Sequence, residues 1–484
     1  MFRAVKNYLY GTKTENQAIS NATTNNALLD LFFKTVRGID EDSLRNYLDS
    51  AAQVSLLDTV KLGFYTRDCC GGKGEKLIFY QFLTWLMDHY PEVVVKNLLH
   101  IPFYGSYKDY VHFLGTSFEP VIIQVFADTL EHDLHSTNEL TLAAKWCPSE
   151  GGSADKQYKF VKKISALMGI SPRQFRQTYL APLRKRINIV ESQLCGKQWG
   201  DIDYSHVPSV AMKNYRNVFL KHDQQRFEQY LQDVKDKKTK INVSVLHPHE
   251  LVHTYLDRPY QVSNVDETIE VMWSTLLDQV RSEGTLQGFL PLVDVSGSMG
   301  GTPMEVAISL GILTATLNKG SFYRKFITFS SRPELVQIKG DTLLQQVCSV
   351  SKASWGGNTN IQAVFALILN AAKVSELDAS EMPTTLLILS DMAFDQACPD
   401  NTQTNWEVIE EKWLESGYER PNIIFWNLRG NTFDFPICNN VPKTALVGGF
   451  SKDILKLFMQ NGELSPTTIL RAAIDSERYD RITV

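Results

Sequence analysis

Between about Asn25 and Trp273, apolar residues recur every three or four positions. Examples are "ALLDLFFKTVRG", "KLIFYQFLTWLMDHY", "PEVVVKNLLH", "PVIIQVFADTLEHDL" and "QYKFVKKISALMG". That period lines one stripe of a helix, so each stretch predicts an amphipathic α-helix. Short breaks such as "DCCGGKGE" and "IPFYGSYKD" separate them. Many helices, short connections and little strand signal predict helix pairs stacked as a HEAT-like solenoid or an irregular bundle. No clean sequence repeat accompanies them.

After about Thr275 the period changes. "GFLPLVDVS", "YRKFITFSS", "TTLLILSD", "NIIFWNLRG" and "TALVGGF" predict strands, and they alternate with helical stretches such as "TPMEVAISLGILTATLNKG", "TNIQAVFALILNAAKVS" and "WEVIEEKWLESG". Alternation of this kind predicts a doubly wound, mostly parallel sheet covered on both faces. The expected fold class is therefore multi-domain, α plus α/β. A polar N-terminal tail over 1–24 precedes a helical domain over 25–275 and an α/β domain over 276–484.

Open α/β sheets bind ligands outside the carboxyl ends of their strands, and two aspartates fall there. Asp294, Ser296 and Ser298 alternate after the first strand, so continued extended backbone would present three oxygens on one side. Thr359 opens a helix after the glycine pair of "WGGNTN", and Asp391 closes the apolar run "LLILSD". Carboxylates and hydroxyls suit Mg²⁺ or Mn²⁺, and only two formal charges would leave a position open for an acidic group from a partner. The alternative is a turn rich in small polar residues.

Composition narrows the class. With 43% hydrophobic and 21% charged residues, the 484-residue chain reads as an ordinary soluble globular protein. Seven scattered cysteines, none in C-x-x-C spacing, suit a reducing compartment. No segment resembles a secretory signal or approaches the roughly 20 apolar residues of a membrane span. A cytoplasmic location without membrane contact is expected. Charge is uneven: Asp155 to Lys240 holds 18 Lys and Arg against 8 Asp and Glu, although the chain carries −5 overall. Arg173, Arg176, Arg184, Lys185, Arg186, Lys213 and Arg216 are interleaved there with Phe175, Tyr179, Trp199 and Tyr215. Clustered cations attract polyanions and planar side chains stack on bases, so RNA is a candidate partner. Solvated helix faces with aromatics turned inward would look the same.

The order D-x-S-x-S, Thr, Asp resembles the metal-ion-dependent adhesion site of von Willebrand factor A domains. That resemblance implies hydroxyl ligation by Ser296, Ser298 and Thr359, with Asp294 and Asp391 acting directly or through water. Met392 departs from it, because these domains often carry glycine there. A helical region before such a domain resembles the TROVE proteins of the Ro autoantigen, with "VPSVAMKNYRNVF" and "KINVSVLHPHELV" in similar places; that implies RNA binding. "RDCCGGKGEK" and "AAKWCPSE" are similar to stretches of an uncharacterised family of plants, fungi and large DNA viruses, which would permit a virion role.

Two motifs point elsewhere. "HPHELVH" contains H-E-x-x-H, so His249 and His253 could hold zinc with Glu250 as a hydrolase base. Pro248 argues instead for a helix start, and no third ligand follows at the extended spacing. "CCGGKGEK" lacks the order of a phosphate-binding loop and no strand precedes it, so it predicts a flexible turn with Lys73 and Lys76 in solvent. The expected function is a non-enzymatic RNA-binding scaffold with a cation site, or else a metal-dependent protein-interaction module.

Overall fold

The computed structural model describes residues 11–256, 264–329, 332–353, 360–395, 404–460 and 464–484. The chain forms two compact units that do not follow chain order. One joins residues 1–85 to 243–482 and the other comprises Leu86–Asn242.

The first unit is built on a six-stranded sheet of order β5-β4-β3-β6-β7-β8. Its strands are β3 (Phe289–Val293), β4 (Lys325–Thr328), β5 (Leu335–Gln337), β6 (Thr385–Ser390), β7 (Asn422–Asn427) and β8 (Thr444–Gly448). All neighbours are parallel except β4 and β5. β3, β6 and β8 are buried along their whole length, as expected of strands with helices on both faces. The short antiparallel β5, in "PELVQ", carried no alternation long enough to read.

An N-terminal hairpin belongs to this unit. β1 (Gly11–Lys13) pairs antiparallel with β2 (Ile19–Asn21), in the stretch expected to be a polar tail. It is pinned at the carboxyl rim of the sheet: the Thr14 hydroxyl donates to the Phe394 carbonyl at 2.8 Å, the Asn16 amide to Ala393 at 2.7 Å, and the Ser20 hydroxyl to Asp434 at 2.8 Å. Helix Ala27–Lys34 follows and lies on β8, burying Leu28, Leu29, Leu31, Phe32 and Phe33. The approach is close. A Cβ on Gly448 would meet the Phe33 carbonyl at 2.3 Å, and one on Gly430 would meet the Val36 carbonyl at 2.3 Å.

The glycine-rich loop after helix Leu56–Arg67 differs from expectation. Lys73 is fully buried, and its ammonium donates to the Thr35 carbonyl at 3.0 Å, the Thr35 hydroxyl at 2.7 Å and the Phe32 carbonyl. The carbonyls ending helix Ala27–Lys34 lack intrahelical donors, and this lysine supplies them. Lys76 is half-buried, its ammonium over the Tyr80 ring. Asp68, also fully buried, accepts from Cys70 and Gly71 backbone N–H groups, from Arg478 and from the Tyr479 hydroxyl. The loop is a hub of buried charge.

The second unit is helical among its described residues. One aromatic cluster joins Phe126 to Tyr110 and Phe160 at 5.8 and 5.5 Å, and another gathers Tyr204, Phe219 and Phe227 at 4.9–5.3 Å. Among the described residues no helix is long and apolar enough to cross a membrane.

Candidate metal centre

β3 and β6 run side by side in register, Phe289 opposite Thr385 through Val293 opposite Leu389. They therefore end together, and the residues that follow meet at the rim. The Asp294 backbone N–H still bonds to the Leu389 carbonyl at 3.0 Å. The Asp294 carboxylate is buried, accepting from the Ser390 hydroxyl at 2.6 Å and the Ser296 N–H at 2.9 Å. Burial, aided by the Asp391 charge, pushes its pKa up to about 6.

Beyond Asp294 the chain does not stay extended. The Ser296 N–H bond back to Asp294 opens a turn, and Gly297–Met299 forms a single 3₁₀ turn closed by Met299 N–H to the Ser296 carbonyl. Ser296 is buried and Ser298 exposed, yet their hydroxyl oxygens lie 3.1 Å apart. Neighbouring ligands of an octahedral ion at about 2.1 Å are separated by about 3 Å, so this spacing fits two positions of one Mg²⁺ shell.

Asp391 is fully buried just past the end of β6. Its Oδ1 accepts from the Ala393 N–H at 3.1 Å. Its Oδ2 has no hydrogen-bond partner among the described residues, with Arg429 Nη1 at 3.5 Å. A buried carboxylate oxygen without a hydrogen bond is costly; the Arg429 guanidinium offsets part of that cost, and a bound cation would offset more. Met392 adopts φ +67, so the turn keeps the left-handed backbone that glycine would favour. Thr359 lies outside the described residues. Among the described residues no group of three or more His, Cys, Asp or Glu converges, so a cation held here would need hydroxyl ligands.

Sequence reasoning missed Arg429. It follows β7, the strand beside β6, and its guanidinium bridges Asp391 and Glu15 of the hairpin, 3.2 Å away. Its place just past the carboxyl end of a neighbouring strand was the available signal.

The other candidates separate. Helix Pro248–Leu256 starts at the proline as expected. Glu250 caps that helix by accepting the His247 N–H at 3.0 Å, His253 pairs with Glu305 at 2.7 Å, and the buried His249 stacks on His247 at 5.5 Å. His249, Glu250 and His253 are thus turned to three different partners. In the helical unit, Arg184 donates to the Ala144 and Cys147 carbonyls, at 2.8 and 2.9 Å, and to the Ser149 hydroxyl. Arg186 caps helix Glu119–His135 through the Asp133, Leu134 and Ser136 carbonyls. These two arginines hold the fold. Arg216 donates to the Lys213 carbonyl, and both are half-buried. Arg173, Arg176 and Lys185 are exposed around a π-helical turn, Arg176–Leu180. Phe175 is core, and Tyr179 bonds to Glu131. Half-buried Trp199 lies flat against His222 at 4.5 Å.

Residues 14–119 and 118–286 match the family described as Domain of unknown function (DUF2828). The chain belongs to that family. Residues 289–481 of this DUF2828 member match a second one, Domain of unknown function (DUF7788). The chain is similar to the Uncharacterized protein L728 of Acanthamoeba polyphaga mimivirus, at 32% identity over 94% of this chain and 86% of that protein. Among solved structures it is similar to the Deinococcus radiodurans RO (RSR) protein, over 94% of this chain and 100% of the other. The TM-score is 0.45 at 14% identity, too loose for any property to be transferred.

Proposed function

We propose that this protein is a non-enzymatic binding protein whose sheet rim holds Mg²⁺ or Mn²⁺ in a site like that of von Willebrand factor A domains. Asp294, Ser296, Ser298 and Asp391 hold the cation, Thr359 adds a hydroxyl, and an acidic group of a partner fills the open position. The observations that carry this reading are the buried Asp391 Oδ2, which among the described residues lacks a hydrogen bond and has only the Arg429 ion pair, and, after the neighbouring strand, the Ser296 and Ser298 hydroxyls spaced as neighbouring ligands. Two carboxylates leave the cation a good acceptor for a further anion.

Thermal denaturation over a Mg²⁺ or Mn²⁺ series tests it. Ligand at about 100 times its Kd stabilises by about 2.7 kcal/mol, which moves Tm by several degrees. Asp294→Ala and Asp391→Ala should each abolish that shift while keeping the far-UV circular dichroism of the parent. An equal shift in both variants would remove the site.

A second reading concerns the helical unit. Exposed Arg173, Arg176 and Lys185 on one short stretch suit phosphate contacts to RNA. Replacing all three with Glu should weaken RNA binding in filter assays and flatten its salt dependence. Unchanged affinity would exclude this surface.

A further inference from the structure

Adjacent thiols project from the buried-charge hub. Helix Leu56–Arg67 ends at Asp68, and Oδ1 of Asp68 takes the backbone N–H groups of Cys70, at 3.0 Å, and Gly71, at 3.2 Å. Arg478 and the Tyr479 hydroxyl fix the same carboxylate. The backbone of the turn is thus held while both side chains leave it. Cys69 is half-buried, Cys70 exposed, and their sulfurs lie 3.8 Å apart. Hydrogen bonding from the Cys69 thiol lowers Cys70 to about 7, helped by Arg478 and opposed by burial, Asp68 and Asp453. The same contact raises Cys69, against Arg67. Lys452 also faces Cys70. Thiolate character and access together mark a reactive cysteine, and a second thiol in contact marks a resolving one.

We propose that Cys69 and Cys70 form a vicinal dithiol that hydrogen peroxide converts reversibly to a disulfide within the loop. The Cys70 thiolate attacks peroxide: an S–O bond forms, the O–O bond breaks, and the departing hydroxide takes a proton to become water. The Cys69 sulfur then attacks Cys70. An S–S bond forms, the S–O bond breaks, and a second water leaves. The two thiols supply two electrons and peroxide is fully reduced. Consecutive Cα atoms are about 3.8 Å apart, closer than the usual 4.4–6.8 Å of disulfide-linked residues, so the product is strained and easily reduced. The peptide that the ring would enclose carries the Cys70 N–H held by Asp68, the carboxylate that anchors Arg478.

Peroxide treatment of the full chain, alkylation and trypsin digestion test this on the peptide Asp68–Lys73. That peptide should lose two hydrogens and both alkylation sites, and regain both after dithiothreitol. Sulfinic acid on Cys70, a link to another chain, or two alkylated thiols after treatment would each overturn the proposal. In Cys69→Ser, Cys70 should instead advance to the sulfinic acid. Phenylarsine oxide gives a second measurement on the unmodified protein. It should block alkylation of this peptide until a dithiol displaces it, and unimpeded alkylation would count against paired thiols.

Discussion

Arg429 holds the position a cation would contest. Its guanidinium lies 3.5 Å from Asp391 Oδ2 and 3.2 Å from Glu15. On the proposed reading, Arg429→Ala removes a competing positive charge and tightens Mg²⁺ binding several-fold in calorimetric titration; weakened binding would make the arginine part of the site. Lys73 has the opposite character. Burial pushes its pKa down to about 7, yet three acceptors surround its ammonium. Lys73→Ala strands those acceptors, which should cost about 3 kcal/mol or more in urea unfolding. His247 supplies a pH dependence. Burial pushes it down to about 4, against Glu250, whereas in the unfolded chain it titrates near 6.5. Between those values the unfolded state binds more protons, so stability falls as pH drops from about 6.5 to about 4. His247→Gln should flatten that slope, by roughly 2 kcal/mol across the window.

Helices and strands were legible wherever a period ran long enough to bury a face. The strand ends of "PLVDVS" and "LLILSD" placed Asp294 and Asp391 at one rim because parallel neighbours in register must end together. Strands β1, β2 and β5 are three residues each, too short for a hydrophobic period to show, and β1 and β5 also leave two of their three residues exposed. Lys73 was misread for a different reason. A lysine among glycines looks solvated until the end of another helix, about 40 positions away, brings its carbonyls to it. The contact between helix Ala27–Lys34 and β8 was equally silent, and Gly448 now explains it. Gly448→Ala drives a Cβ against the Phe33 carbonyl and should cost at least about 2 kcal/mol by thermal melts.

For the whole molecule, the uneven charge follows the division into compact units. The basic stretch falls inside Leu86–Asn242, while the candidate cation site belongs wholly to the other unit. The sheet borrows Leu28, Leu29, Leu31, Phe32 and Phe33 from far upstream. At about 1.5–3 kcal/mol for each large apolar side chain buried, their loss rivals the 5–15 kcal/mol that keeps a typical domain folded. A fragment of residues 276–484 should therefore show no cooperative melt, whereas the full chain should. A sharp transition in the fragment would mean the sheet stands without its N-terminal cover.

Asn21 pairs with Phe435 across more than four hundred positions. During translation β1 and β2 leave the ribosome more than four hundred residues before the Phe435 segment that holds them. The helices between can fold meanwhile, so in a newborn molecule the face of helix Ala27–Lys34 that β8 will cover waits for a strand made about four hundred residues later.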